Sequence, residues 1–192
     1  MPRSGTESRA RLQRAAVELF LERGFDAVTT AEIADRAGVT ERTYFRHFPD
    51  KREVLFDGEN QLAEWVTAAL ADVPATVPPL PALRRVARTI APRLEDNRGT
   101  SEQLGRIIAA TPTLRERAAA KEARLVAMLG DLLCSRGIDE GTADIAARTG
   151  WGILAHAMHS WQSNPAIGLD EHLERAFSQL PALTAPLASD LG

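Results

Sequence analysis

Residues 29–51 read TTAEIADRAGVTERTYFRHFPDK, and this stretch decides the fold. Thr29 followed three residues later by Glu32 is a capping-box pattern that opens a helix. Ile33, Ala34 and Ala37 give that helix its buried side. Gly38 ends it, since glycine takes a positive φ without steric penalty. Val39 is the apolar residue of the turn, and Thr40 is a good N-cap for a second helix over about 41–48. Pro49 stops that helix, because its ring disfavours helical geometry in the residue before it. Two short capped helices with a tight glycine turn, the second carrying cations and hydroxyls on one face, form the layout of a helix-turn-helix that lies in the major groove of DNA.

Upstream, Leu12, Ala16, Leu19 and Phe20 recur at i, i+4, i+7 and i+8, which places one apolar face on a helix over 8–23, with Gly24 as its stop. Residues 1–7 read as a frayed polar tail, solvated in the first reading, with Arg3 as a minor-groove or phosphate arm in the alternative. Downstream, Asp50 with Glu53 opens a fourth helix that continues through Val54, Leu55, Leu62, Trp65, Val66 and Leu70. The stretch DVPATVPPLP at 72–81 holds four prolines and reads as a rigid connector. Further helices are expected over 80–97, kinked or split at Pro92, and over 101–110, 112–136, 139–162 and 169–180. The tail from Pro181 has little to hold it. No strand-like alternation occurs, so the chain is all-α with about nine helices. The expected division is a helix-turn-helix domain over 1–50 and a larger helical domain over 51–192.

Charge alone argues little. The net charge is −3, with ten Lys/Arg against nine Asp/Glu in residues 1–56 and thirteen against seventeen beyond. The persuasion has to come from placed cations. Arg42 and Arg46, four apart on a helix, project to one side, and arginine reads guanine bidentately. Thr30 and Thr40 offer hydroxyls at two helix starts, where free N–H groups attract phosphate. Thr43 can meet a thymine methyl or a phosphate, and His47 and Lys51 can hold the far backbone.

The segment AAVELFLERGFDAVTTAEIADRAGVTERTYFRHFPDKREVL lies within residues 9–56, which closely resemble the N-terminal domain of the tetracycline-repressor (TetR) family of transcription regulators. The resemblance implies a three-helix DNA-binding domain, a fourth helix linking it to a ligand-binding core, and a dimer formed by the last two long helices. Carried over by position, it implies DNA contacts from Thr30, Thr40, Arg42, Thr43, Arg46, His47 and Lys51. The family often has tyrosine where Phe45 stands; without a hydroxyl, Phe45 is expected only to pack, and Tyr44 to turn inward.

The resemblance implies a dimeric repressor released from a palindromic, double-stranded operator by a small organic effector. A DNA-binding module without an effector is the alternative, and a small helical enzyme a weaker one. No Ser/His/Asp or Cys/His arrangement, phosphate loop or metal motif with proper spacing supports an enzyme, and no cofactor is expected. Leu62, Trp65, Arg106, Ile107, Ile108, Leu125, Met128 and Leu129 are the expected ligand-pocket residues, with Arg106 either meeting an anion or reaching to water. Ala143, Ala147, Gly150, Leu154, Met158 and Trp161 lie along one side of the 139–162 helix and are the expected dimer face, with packing of the glycines within one chain as the lesser alternative. His156 and His159 share a helical face with Cys134 as a conceivable neighbour, but no fourth ligand has recognisable spacing, so no metal is expected. One cysteine and no apolar run of about 18 residues point to a cytoplasmic protein without a membrane span.

Overall fold

The computed structural model describes residues 3–184, and all its elements in that range are helical. They are α1 (Arg3–Arg23), α2 (Thr30–Arg36), α3 (Glu41–His47), a 3₁₀ turn (Glu53–Leu55), α4 (Glu59–Ala71), α5 (Pro79–Asp96), α6 (Arg98–Ala110), α7 (Pro112–Cys134), α8 (Glu140–Ser163), α9 (Leu169–Ser178) and α10 (Leu180–Thr184).

Three boundaries differ from the sequence pattern for local reasons. α1 begins at Arg3, so most of the expected arm is helix; Met1, Pro2 and the side chain of Arg3 lie outside the described residues. The expected fourth helix is broken. Asp50 Oδ1 accepts from the N–H groups of Arg52 and Glu53 and opens only the 3₁₀ turn, and a regular helix resumes after Gly58. α5 runs unbroken through Pro92, which is exposed, so the Arg88 carbonyl that loses its partner can face water. The tail expected from Pro181 is in part the short α10, and residues 185–192 lie outside the described range.

The chain forms two compact units, residues 1–61 with 99–121 and residues 62–98 with 122–192. In the first, α1–α3 and the 3₁₀ turn bury Leu12, Phe20, Ile33, Tyr44, Phe48 and Val54, and Ile107 of α6 and Leu114 of α7 join the same cluster. Arg117 reaches Glu53 within this unit at 2.7 Å. In the second, α5, α8 and α9 bury Ile90, Ala147, Leu154, Trp161, Leu169 and Leu173. Gly168 has no side chain with which to cap α9, and Glu95 of α5 supplies the missing acceptor to Leu169 N–H at 2.5 Å. The guanidinium of Arg136 donates to the carbonyls of Leu70, Val73 and Pro74 and so pins the start of the proline connector.

Because Leu114 is fully buried in the first unit, Leu114→Ala is expected to destabilise the protein by about 2–5 kcal/mol in urea unfolding. A loss under about 1 kcal/mol would show that α7 adds little to that core. The carboxylate of Glu32, bonded to the Thr29 N–H, Arg23 and the Thr29 hydroxyl, has its pKa lowered from 4.5 to about 2. Its contribution is therefore complete above pH 4.5 and disappears as pH falls through the folded value. Glu32→Gln should flatten that part of the acid-unfolding curve, which circular dichroism can follow.

Candidate nucleic-acid interface

α2 and α3 are each seven residues long, too short to hold helical form without caps and packing. Thr29 and Glu32 complete both halves of the capping box on α2. At its other end Gly38 has φ 66, the Gly38 N–H donates to Asp35 O and the Val39 N–H to Ala34 O, so the chain reverses within one turn. Thr40 caps α3 by accepting from the Thr43 N–H at 3.2 Å. The two helix starts are tied directly, with the Thr30 hydroxyl donating to Glu41 at 2.5 Å.

α3 is held by its inner side. Tyr44 is 0% exposed, stands against Phe48 at 5.6 Å, and donates its hydroxyl to the carbonyls of Asp50 and Lys51 at 3.3 Å. Burial, with the charge of Asp50 adding to it, pushes this phenol above its ordinary range, so it stays protonated and remains a donor.

On the outer side, Thr40, Arg42, Thr43, Phe45 and Arg46 line one open concave surface. Arg42 and Arg46 are exposed and make no hydrogen bond or ion pair among the described residues. Their neighbours are engaged: Arg9 with Asp57, Arg23 with Glu32 at 2.7 Å, Arg36 with Glu22 at 3.1 Å, and Arg52 with Asp50 at 2.9 Å. A guanidinium with all its donors free is ready for a bidentate acceptor, whereas a paired one must first give up its carboxylate.

The remaining expected residues have different surroundings. His47 is half-buried, its Nε2 has no hydrogen-bond partner among the described residues, and desolvation together with Arg46 and Arg9 lowers its pKa. Lys51 turns inward. Its ammonium donates to the carbonyls of Phe25 and Val28 at 2.8 and 2.9 Å and lies 4.2 Å from the centre of the Phe25 ring. Those bonds join the α1–α2 connection to the segment after α3. Phe45, expected only to pack, is 51% exposed between the two free arginines. Its spacing from Arg42 and Arg46 was the available signal, since i+3 and i+4 positions share a helical side.

In the second unit a cavity of about 30 Å³ is lined by apolar residues, including Leu62, Leu125, Met128 and Leu129 of the expected pocket. Trp65 lies outside that lining, under the Arg93 guanidinium at 5.3 Å. Ile107 and Ile108 belong to the core of the first unit and Arg106 is exposed, so these three do not line this cavity. The residues expected at the dimer face are engaged within the second unit. Ala143, Ala147, Leu154 and Trp161 are buried inside their own unit, Met158 packs on the same cluster, and a Cβ on Gly150 would come 2.6 Å from Leu83 Cδ1. α8 instead exposes Ile145, Gly152, Ala155, His156 and His159. The two histidines share a groove with His172, and Cys134 is exposed at the end of α7. No helix among the described residues is long and apolar enough to cross a membrane.

Residues 12–57 match the family model of bacterial regulatory proteins, tetR family. The HTH-type transcriptional regulator TcmR of Streptomyces glaucescens is 38% identical over 89 residues, which cover 46% of this chain and 39% of TcmR. The chain spans about two fifths to one half of the length of the curated relatives it matches. Among solved structures, Thermus thermophilus FadR, a TetR-family transcriptional repressor in complex with lauroyl-CoA, is 28% identical with a TM-score of 0.56, over 90% of this chain and 92% of that one. NalD of Pseudomonas aeruginosa, the secondary repressor of a multidrug efflux pump, is similar in fold at 23% identity and a TM-score of 0.61, over 91% and 94% of the two chains. With the helix-turn-helix geometry of α2 and α3, these matches give residues 12–57 the helix-turn-helix domain of bacterial regulatory proteins of the tetR family.

Proposed function

We propose that this DNA-binding transcriptional regulator is a homodimeric repressor that reads a palindromic double-stranded operator and leaves it when a small organic effector binds. The observation that carries the DNA reading is the pair Arg42 and Arg46, exposed and unpaired among the described residues, on a capped helix beside Thr40 and Thr43. Both arginines address base edges. Thr30, Thr40 and Thr43 work at the helix starts, where N–H groups and hydroxyls favour phosphate. Phe45 adds an apolar contact to a thymine methyl. His47 holds a phosphate when protonated, and Lys51 acts through the fold more than through DNA.

A single α3 spans only a half-site, so two copies one helical turn apart are needed for a palindrome. The outward face of α8, with Ile145 67% exposed and the small residues Gly152 and Ala155 allowing close approach, suits that pairing better than the inward face. Such a protein works in the cytoplasm, where DNA and a reduced Cys134 coexist.

The repressor and effector readings draw on the FadR–lauroyl-CoA complex and require a ligand that binds one conformation better than the other. One observation favours a module without an effector. The apolar cavity of about 30 Å³ is far below the roughly 300 Å³ of a small-molecule pocket.

Arg42→Ala and Arg46→Ala are each expected to lose about 1–3 kcal/mol of discrimination between operator and unrelated DNA in mobility-shift titrations. Undiminished selectivity in both at moderate salt would remove the assignment. Lys51→Ala should instead lower the melting temperature and leave the slope of affinity against salt close to that of the parent protein. Ile145→Glu should bring the mass by light scattering down to that of one chain; an unchanged dimer would place the interface elsewhere.

A further inference from the structure

Among the described residues Phe45 is the one aromatic side chain left exposed, and it helps line the open concave surface of α3. Its ring is braced edge-on against Tyr44, with centres 5.5 Å apart and planes at 79°. Tyr44 is itself anchored through its hydroxyl to the carbonyls of Asp50 and Lys51, so the phenyl group of Phe45 is held out toward solvent by a fixed support. A phenyl ring gains nothing from water and carries no hydrogen-bonding atom. What it can recognise is another apolar group.

The rest of that surface narrows the choice. The hydroxyls of Thr40 and Thr43 lie 3.1 Å apart and bond to each other. The guanidinium groups of Arg42 and Arg46, three residues before Phe45 and one after it, have no hydrogen bond or ion pair among the described residues. Such a group matches the N7 and O6 acceptors of guanine, and the apolar group that the major groove offers is the C5 methyl of thymine. A methylated cytosine carries the same methyl on the same ring carbon. In B-form DNA this methyl lies beside the N7–O6 edge of a guanine that follows on the same strand, so one arginine and one phenyl ring can cover both. Thymine and cytosine differ at C4, an acceptor in the first and an amino donor in the second. Phe45 has no polar atom with which to tell them apart.

We propose that Phe45 reads a pyrimidine C5 methyl group and not a particular base pair, so that 5-methylcytosine followed by guanine serves at its position as well as thymine followed by guanine, and cytosine methylation at such a step tightens binding. The proposal rests on the DNA reading given above and adds to it a response to a covalent modification of the DNA. Covering one methyl is worth about fourfold in affinity. With two copies of α3 on two half-sites the effects multiply, to about fifteenfold.

The test uses the full chain and the tightest duplex that it selects from a random library of unmodified DNA, with affinities from mobility-shift titrations at fixed salt. Each thymine followed by guanine is replaced in turn by deoxyuridine. The same positions are then built as cytosine and as 5-methylcytosine, each paired with guanine. At one such step in each half-site, removing the thymine methyl is expected to weaken binding about fourfold, and adding the cytosine methyl to strengthen it by the same factor. Phe45→Ala should lose both methyl effects and keep the preference for the guanine that follows. A selected duplex without such a step, or selective binding with no methyl effect at any of them, overturns the proposal and leaves the DNA reading standing. A thymine methyl effect with no counterpart on cytosine shows that the whole base pair is read and overturns the proposal. Methyl effects undiminished in Phe45→Ala overturn the role of Phe45. If no duplex is enriched, the DNA reading falls and the proposal with it. The duplex series on the parent chain decides the methyl question even if Phe45→Ala does not fold.

Discussion

The rotational setting of α3 depends on Tyr44. A seven-residue helix has almost no stability of its own, so the side that faces outward is whatever side packing leaves over. Tyr44 is buried completely, its ring stands near Phe45 and Phe48, and its hydroxyl donates to two carbonyls of the segment that follows the helix. A buried phenol without those acceptors would be costly, so the bonds fix the ring's depth as well as its direction. With Tyr44 inward, Arg42, Phe45 and Arg46 have only the outer surface available. Lys51 closes the arrangement by tying the α1–α2 connection to the same segment.

The same logic of leftover faces governs α8. Small residues at Ala143, Ala146, Ala147 and Ala157 let α8 lie close against its neighbours, and Gly150 stands where Leu83 leaves no room for a Cβ. Glycine in a helix costs about 1 kcal/mol relative to alanine, and close helix approach compensates for it here within one chain. Consequently the face that carries Ala143, Leu154 and Trp161 is used up in the monomer's own core. The side of α8 left exposed bears Ile145, Gly152 and His156.

The elements that were plain from sequence were those with strong local chemistry. The Thr29–Glu32 box, the Gly38 turn, the Thr40 cap and the stop before Pro49 are each written in adjacent residues, and each is present with its hydrogen bonds. What failed were inferences that continued one pattern past its local cause. Asp50 caps a 3₁₀ turn instead of a long helix, and α5 passes Pro92 because the residue is on the solvent side. Apolar periodicity identifies a buried face without saying what buries it. Ile107 and Ile108 have the spacing of pocket residues, yet they complete the core of the first unit with Leu114.

By itself the sequence determined an all-helical chain and a capped helix-turn-helix with two arginines four residues apart, because caps, turns and helical spacing are short-range properties. Only the tertiary structure decided that Lys51 faces inward, that Phe45 faces outward and that the indole N–H of Trp151 meets Glu122. These depend on residues brought from 23 or more positions away, as with Lys51 and Val28 or Trp151 and Glu122. Charge or aromatic character at one position does not specify its partner across such a distance; burial and the acceptors available in the folded chain do.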